Sequence, residues 1–133
     1  MILVDTNVLL DIATNDPTWA EWSIENPDAA ATLGAVSING VIYSEFSVGY
    51  ERIEDIDRFL AEAGIEWADI PREALFLAGK AFQTYRRQGG GRTGVLPDFF
   101  IGAHATVSGM TLITRDAGRY RTYFPTVRLI SPN

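Results

Sequence analysis

Short apolar runs alternate with helical segments along this chain, and no other feature of the sequence constrains the fold as strongly. The apolar runs predict strands over residues 1–5, 35–38, 65–70, 111–114 and 127–130. Strands that alternate with helices favour a parallel sheet that is covered on both faces. We therefore expect an α/β protein in which the carboxyl ends of the strands meet at one edge of the sheet.

The segments between these strands have the apolar spacing of helices. They predict helices over residues 8–13, 18–33, 41–50, 51–63, 71–87 and 97–109, and a short turn or helix over residues 117–124. Pro27 is expected to interrupt the second helix, and the glycine-rich residues 89–94 are expected to form a mobile loop. A chain of 133 residues without an interdomain linker predicts one domain over residues 1–133.

Four acidic residues stand in otherwise apolar or small-residue surroundings. Asp5 and Asp116 follow predicted strands, Asp98 lies in the first turn of a predicted helix, and Glu45 lies inside another. A carboxylate held against a core is costly unless it is neutralised, and ligands of parallel sheets bind at the carboxyl edge. We therefore expect the four side chains to converge on a shared cation.

The residue types that are absent narrow the choice of that cation. The chain has no cysteine, and His104 is its only histidine, which excludes disulfides, thiolate metal sites and multi-histidine zinc sites. Oxygen ligands select hard cations, so the predicted ion is Mg²⁺ or Mn²⁺. The lack of cysteine also fits a protein of the reducing cytoplasm. No apolar run reaches the roughly 20 residues that a membrane span needs. Residues 1–5 do not resemble a signal peptide.

Charge is distributed unevenly along the chain, although the net charge is −6. Residues 1–51 contain eight acidic residues and no lysine or arginine, whereas residues 76–133 contain eight cationic residues and two acidic ones. Such asymmetry marks either a face for an acidic partner or a solvated surface with uneven charge. Because the guanidinium fork matches phosphate geometry, the candidate phosphate contacts are Arg86, Arg87, Arg92 and Arg115.

Each acid also has a purely structural interpretation. Asp5 and Asp116 are suitable helix caps, Asp98 would be a favourable charge at a helix N-terminus, and a glutamate such as Glu45 is commonplace on a solvated helix face. Asp11 is expected at the surface. His104 lies six residues beyond Asp98, on roughly the opposite side of the helix, and is expected in packing or at the surface.

Four short segments, each with one of the acids, carry a family resemblance. They are residues 4–10 (VDTNVLL), 44–46 (SEF), 96–105 (LPDFFIGAHA) and 112–116 (LITRD). Their order and spacing, across essentially the whole chain, are similar to those of the PIN-domain ribonucleases, and in particular of the VapC toxins of toxin–antitoxin pairs. The resemblance implies a three-layer α/β/α sandwich around a parallel sheet of four or five strands.

The resemblance also implies a catalytic role for the acids. They would form a quartet that holds Mg²⁺ or Mn²⁺: Asp5, Glu45, Asp98 and Asp116. Thr6 or Asn7 would orient Asp5 or a water molecule, and Thr114 would support the site. The activity implied is that of a metal-dependent endoribonuclease, with structured or transfer RNA as a common substrate, a homodimeric state and inhibition by an antitoxin protein.

Three other kinds of protein also place acidic residues, or a similar fold, in such a pattern. A phosphoacceptor receiver domain needs an adjacent acidic pair after the first strand, and a haloacid dehalogenase-type phosphatase needs Asp-x-Asp. The chain has Asp5-Thr6-Asn7 at that place, so neither motif is present. A catalytically silent RNA-binding or interaction module with a PIN-like fold is the alternative that the sequence leaves open.

Overall fold

A five-stranded, all-parallel sheet organises the computed structural model, which describes residues 1–92 and 94–132. The strands are β1 (Ile2–Val4), β2 (Val36–Ile38), β3 (Glu66–Trp67), β4 (Thr111–Ile113) and β5 (Leu129–Ile130). They lie in the order β3-β2-β1-β4-β5, and every neighbouring pair is parallel. The predicted parallel α/β fold is confirmed, with a strand at each predicted place.

Helices cover both faces of the sheet and complete the three-layer sandwich. They are α1 (Thr6–Ala13), α2 (Ala20–Ala30), α3 (Gly40–Ser47), α4 (Ile53–Glu62), α5 (Arg72–Arg87), α6 (Leu96–Ser108) and α7 (Gly118–Tyr123). Right-handed crossovers place α1 to α4 on one face and α5 to α7 on the other. The contacts agree, because α1 packs against α2 and α3 while α6 packs against α5 and α7. None of the described helices has the length and apolar character needed to cross a membrane.

The central and edge strands differ in burial. All of β1 is buried, and it pairs with β2 on one side and β4 on the other, as expected for a strand covered by helices on both faces. Both residues of β3 are exposed, and β3 pairs only with β2. The strand predicted over residues 65–70 is therefore shortened to an edge strand of two residues.

The predicted interruption at Pro27 is wrong. Helix α2 runs through Pro27, which lies in its last turn. A proline removes the backbone hydrogen bond to the residue four positions earlier, and the loss is small so close to a helix end. The side-chain amide of Asn26 donates to the carbonyl of Trp22 at 2.8 Å and adds a hydrogen bond beside the missing one.

The segment after α5 packs back onto that helix. Among the described residues of the predicted loop 89–94 there is no helix or strand; Thr93 lies outside the described residues, as does Asn133. The backbone N–H of Arg92 donates to the hydroxyl of Tyr85 at 3.2 Å. This contact holds the backbone of Arg92 against the last turn of α5.

Close packing fixes the position of α6, whose first turn contains Asp98. The helix ends at Gly109, which has a φ of 64° and so occupies the left-handed region that favours glycine. Gly102 lies against Phe124, so that a Cβ at Gly102 would be 2.3 Å from the ring. A larger side chain would push α6 away from the segment that follows Asp116.

Candidate active site

The four predicted acids line one crevice of about 210 Å³, together with Thr6, Asn7, Leu10 and Tyr120. The crevice lies outside the carboxyl ends of β1 and β4, the neighbouring strands at which the chain order reverses. Ligands of open α/β sheets bind at such a switch point. The structure therefore brings Asp5, Glu45, Asp98 and Asp116 to the place where ligand binding is expected.

Asp5 is buried directly after β1, with 5% of its surface exposed. Its Oδ1 accepts from the backbone N–H of Thr6 at 2.8 Å and so caps α1. Its Oδ2 accepts from the hydroxyl of Thr114 at 2.8 Å and from the hydroxyl of Tyr120 at 2.9 Å. The cap interpretation is thus correct for one oxygen, while the second oxygen is held by two hydroxyl groups.

Burial dominates the electrostatics of Asp5. Burial is the largest cause of the rise in the pKa of this carboxyl group from 3.8 to about 6; the negative charge of Asp98 also raises the pKa, whereas hydrogen bonds from Thr114, Tyr120 and Thr6 lower it. Burial also raises the pKa of Tyr120 well above its usual value of 10. Tyr120 therefore remains a protonated donor to Asp5 throughout the physiological pH range.

Glu45 is held by the first residue of α1. The hydroxyl of Thr6 donates to Glu45 Oε1 at 2.7 Å, across the contact between α1 and α3. Partial burial raises the pKa of Glu45, the hydrogen bond from Thr6 lowers it, and the charge of Asp98 raises it. The apolar neighbours of Glu45 in α3 thus leave its carboxylate at the crevice instead of on a solvated helix face.

Asp98 forms an ion pair with Arg119, the second residue of α7. Burial raises the pKa of Asp98, the hydrogen bond and charge of Arg119 lower it, and the charge of Asp116 raises it. Asp116 is exposed, and its backbone N–H donates to the hydroxyl of Thr114 at 3.2 Å. Thr114 therefore connects the segment that contains Asp116 to Asp5.

The acids match a hard divalent cation in chemistry but are not closed around one. In residues 1–92 and 94–132, no group of three acidic or histidine side chains is arranged to enclose a metal ion. The ligand atoms are nevertheless all carboxylate oxygens, which suit Mg²⁺ and Mn²⁺, and Asp98 raises the pKa of Asp5 and of Glu45. Such mutual repulsion is what a bound cation relieves. The donor set of Asp5, Glu45, Asp98 and Asp116 therefore fits a hard divalent ion in chemistry and charge.

Asn7 connects three parts of the crevice. Its amide N–H lies 3.5 Å from Asp5 Oδ2 and 3.4 Å from Thr114 Oγ1. Its amide oxygen accepts from the backbone N–H of Arg115 at 3.2 Å. Asn7 therefore fixes the chain before Asp116 against the N-terminus of α1.

The prediction that Asp11 lies at the surface is wrong. Asp11 is 3% exposed, and its carboxylate accepts from Nε and Nη2 of Arg115 and, at 2.8 Å, from the hydroxyl of Ser23. The guanidinium of Arg115 also lies over the ring of Trp19, 5.2 Å from its centroid. The partners of Asp11 come from the next helix, α2, and from the segment after β4, 104 residues away, so the local pattern around Asp11 could not reveal them.

The other predicted phosphate contacts lie outside the crevice but at the same end of the molecule. Arg86, Arg87 and Arg92 are exposed, in the last turn of α5 and the loop that follows. The ring of Tyr85 lies 5.5 Å from the ring of Phe99, which places the last turn of α5 beside the first turn of α6. These arginines therefore flank the helix end that contains Asp98.

Two residues at the crevice were not predicted. Tyr120 donates to Asp5 and Arg119 binds Asp98, and both belong to the short helix α7. A helix of six residues gives no periodicity from which the orientation of a side chain follows. The one signal was their proximity in sequence to Asp116.

Comparisons with known proteins extend over nearly the whole chain. The family profile described as PIN domain matches residues 2–125. Among solved structures, the chain is similar to VapBC2 from Rickettsia felis bound to a DNA fragment from its promoter, with a TM-score of 0.77, 20% identity and all of both chains covered. It is also similar to VapBC-1 from nontypeable Haemophilus influenzae, with a TM-score of 0.72, 18% identity and 98% of each chain covered.

A third similar structure is FitAcB from Neisseria gonorrhoeae, with a TM-score of 0.67, 19% identity, and 99% of this chain and 98% of that chain covered. At these identities the likeness shows the fold. No curated protein sequence matches the chain significantly.

Proposed function

The chain belongs to the PIN domain family, and from that premise we propose that it is a metal-dependent endoribonuclease and the toxin of a type II toxin–antitoxin pair. PIN domains are generally nucleases, and they generally use divalent metal ions. The observation that carries the proposal is the convergence of Asp5, Glu45, Asp98 and Asp116, from four separate segments, on one crevice.

The proposed roles follow from burial and hydrogen bonding. Asp5, Asp98 and Asp116 hold Mg²⁺ or Mn²⁺, and a bound ion of this kind supplies charge that activates water and offsets the phosphate oxygens. Glu45 either completes the ion's ligands or accepts the proton of the attacking water, for which its raised pKa is suited. In the reaction the water oxygen bonds to phosphorus, the bond to the 3′ oxygen breaks, and a 5′-phosphate and a 3′-hydroxyl result.

Three further residues support these groups. The hydroxyl of Thr6 positions Glu45, and the hydroxyl of Thr114 positions Asp5. Asn7 holds the segment that contains Asp116 against α1 through the backbone of Arg115. Their proposed function is to keep the acids in place while the ion and the substrate bind.

The proposed substrate is RNA, with transfer RNA as the first class to test. Arg86, Arg87 and Arg92 are exposed beside the helix end that contains Asp98 and contact phosphates in this proposal. Arg115 was predicted to do the same, but its guanidinium already binds Asp11 and Trp19. A phosphate contact by Arg115 would therefore compete with its contacts to Asp11 and Trp19. If Arg115 contacts phosphate, its replacement should weaken the salt dependence of RNA binding; if its role is structural, it should not.

The proposed partners are a cognate antitoxin and a second copy of the chain, in the cytoplasm. Similar solved structures include a toxin–antitoxin complex from Klebsiella pneumoniae and VapBC from Salmonella typhimurium bound to DNA. Co-expression with the product of a neighbouring reading frame should yield a stable complex that lacks nuclease activity. Light scattering of the purified chain tests the homodimer separately.

The decisive experiment is a nuclease assay on transfer RNA and unstructured RNA with Mg²⁺, Mn²⁺ or EDTA. We expect cleavage with either ion, none with EDTA, and products that bear 5′-phosphates. Asp98→Asn should abolish cleavage, whereas Glu62→Gln, an exposed acid in α4 outside the crevice, should not. Cyclic 2′,3′-phosphate products or full activity of Asp98→Asn would contradict the proposed chemistry.

The same assay separates the alternative, a catalytically silent RNA-binding module with a PIN-like fold. That module would bind RNA without cleaving it under every ion condition. Sequencing of the RNA ends that appear on expression in cells, compared with an Asp98→Asn control, identifies the substrate if the chain is a nuclease. Ends that are identical in the two strains would favour the silent module.

A further inference from the structure

A second depression adjoins the acidic crevice and differs from it in character. It has a volume of about 280 Å³ and shares Glu45 with the crevice. Its other walls include the apolar side chains of Val41, Leu96, Pro97 and Phe100. We call this space the apolar depression. Because Glu45 lines both spaces, a ligand in the apolar depression also lies next to the proposed phosphodiester site.

The walls of the apolar depression are held in place by the fold. It lies between α3 and α6, which contact each other directly. Val41 and Phe100 are partly buried and pack against the hydrophobic core. The shared wall is fixed by the hydrogen bond from Thr6 to Glu45 at 2.7 Å. The depression is thus a formed surface that persists when α3 and α6 are packed.

The chemistry of the lining excludes a phosphate group as occupant. Among the described residues that line the depression there is no lysine or arginine, and the polar side chains are those of Ser44 and Glu45. A phosphate would face a carboxylate with no cation to offset it. A flat ligand with apolar faces and a hydrogen-bonding edge matches the lining, because Phe100 offers a ring and Ser44 offers an exposed hydroxyl.

An exposed aromatic ring lies beside the same surface. Trp67 is 54% exposed, and its ring would lie 3.6 Å from a Cβ on Gly40, a residue of the depression's rim. The ring is held edge-on to Tyr43 at 5.5 Å and by a hydrogen bond from its Nε1 to Asp69 at 2.9 Å. Aromatic rings held in place at a protein surface are the usual platform for unpaired bases.

We propose that the apolar depression binds a nucleobase of the RNA, the one attached to the nucleotide whose phosphate enters the acidic crevice. The proposal deepens the proposed function and rests on it, because the acids are taken to hold the scissile phosphate. The base stacks on Phe100 between α3 and α6, and Ser44 contacts its edge. Trp67 then receives the next base along the strand. Stacking is tolerant of sequence, so Ser44 is the side chain of the depression that discriminates between bases.

Binding of mononucleotides tests the depression without any cleavage. The isotope-labelled chain is titrated in Mg²⁺ with adenosine or uridine 5′-monophosphate, and separately with ribose 5-phosphate, while its backbone amide resonances are recorded. The mononucleotides should shift the resonances of Val41, Ser44 and Phe100 as well as those of Asn7 and Asp116. Ribose 5-phosphate should shift only the last two, because it has no base.

Two variants and one matched control assign the shifts to the depression. Phe100→Leu keeps the apolar wall without the ring and should weaken mononucleotide binding about tenfold, as expected for the loss of one base–aromatic stack. Ser44→Trp fills the depression from an exposed helix position and provides a second test if Phe100→Leu does not fold. Phe76→Leu removes an exposed ring in α5 and should leave binding unchanged.

The outcomes separate this inference from the proposed nuclease activity. Three outcomes overturn the base-binding site. Mononucleotides and ribose 5-phosphate give equal shifts, the shifts are confined to other surfaces, or neither ligand gives any shift. If RNA is nevertheless cleaved, only the base-binding site is lost. If the base-dependent shifts occur but no RNA is cleaved under any ion condition, the nuclease proposal fails while the base-binding surface stands.

Discussion

At the scale of single residues, Asp5 is an ionisable carboxyl group in a buried position, where the charged form is disfavoured. Asp5 is 5% exposed, and burial raises its pKa to about 6. A group whose pKa is higher in the folded than in the unfolded chain stabilises the fold at low pH, and that stabilisation is lost as the pH rises through the folded value. An ionised, buried Asp5 at neutral pH therefore costs stability unless a cation is present.

The first prediction concerns the pH dependence of unfolding. In EDTA, the free energy of unfolding should fall by about 2 kcal/mol from this group between pH 4 and pH 7, because each unit of pKa shift corresponds to about 1.4 kcal/mol and pH 4 already lies just above the unfolded pKa. Asp5→Asn, whose amide can still pair with Thr6 and Thr114, should flatten the curve and be the more stable protein at pH 7. Urea unfolding across this pH range measures it. Asp28→Asn, at an exposed position, is the control, and an unchanged slope in Asp5→Asn would refute the assignment.

The second prediction concerns Arg119, which binds Asp98 in the place where a metal ion would act. Arg119→Gln removes a cation that competes with the ion for the carboxylate, so Mn²⁺ should raise the melting temperature more in this variant than in the unaltered chain. Without metal the variant should melt at a lower temperature, because Asp98 loses its counter-charge. Thermal unfolding with and without Mn²⁺ reports both effects. An equal response in Arg119→Gln and in the control Arg87→Gln would exclude the competition.

At the scale of secondary-structure elements, one ion pair joins α1, α2 and the end of β4. The side chain of Asp11 is 4% exposed and that of Arg115 is 28% exposed, and Ser23 and Trp19 of the α2 region complete the contact. The backbone of Arg115 is also bound by Asn7. This cluster therefore sets the distance between α1 and the segment that contains Asp116.

The third prediction distinguishes the structural role of Arg115 from phosphate contact. Arg115→Ala leaves the buried carboxylate of Asp11 unpaired and should lower the free energy of unfolding by about 3 kcal/mol. Asp11→Asn should cost less, and the double variant should cost less than the sum of the two. The salt dependence of RNA binding should be unchanged in Arg115→Ala. A weaker salt dependence with unaltered stability would instead identify Arg115 as a phosphate contact.

The order of strands and helices, and the positions of two of the acids, could be predicted from the sequence. Asp5 was placed correctly because it ends an apolar strand, and parallel strands bring their carboxyl ends to one edge. The same rule located the segment of Asp116. The strand alternation, the parallel sheet and both faces of helices follow from local periodicity in the same way.

The remaining features depend on packing between segments that are distant in sequence. The burial of Asp11 requires Arg115, which is brought to it by β4, and no local pattern reports that. The pairing of Asp98 with Arg119 depends on α6 and α7 approaching closely at Gly102 and Phe124. The absence of a closed acidic group within the described residues is likewise a matter of where side chains lie in space, which strand and helix signals do not determine.

At the scale of the whole molecule, the uneven charge has a geometric meaning. A polyanionic substrate must approach a crevice formed by four acidic residues. Residues 1–51 cannot attract it, because their charged side chains are all acidic. The exposed Arg86, Arg87 and Arg92 lie where α5 meets the first turn of α6. We infer that they offset the repulsion and set the direction from which RNA enters.

The fourth prediction measures that contribution. If each of these three arginines neutralises one phosphate of a single-stranded RNA, replacing all three by glutamine should reduce the slope of the logarithm of the RNA-binding constant against the logarithm of salt concentration by about 2. The binding of Asp98→Asn chains, which cannot cleave in our scheme, is measured by fluorescence anisotropy at several salt concentrations. The matched control replaces Arg52 and Arg58, which are exposed and pair with Glu54 and Asp55, and should leave the slope unchanged. The slope reports the number of phosphates that the protein contacts, whatever the RNA sequence. Equal slopes for the triple variant and the control would therefore show that RNA enters over a different face.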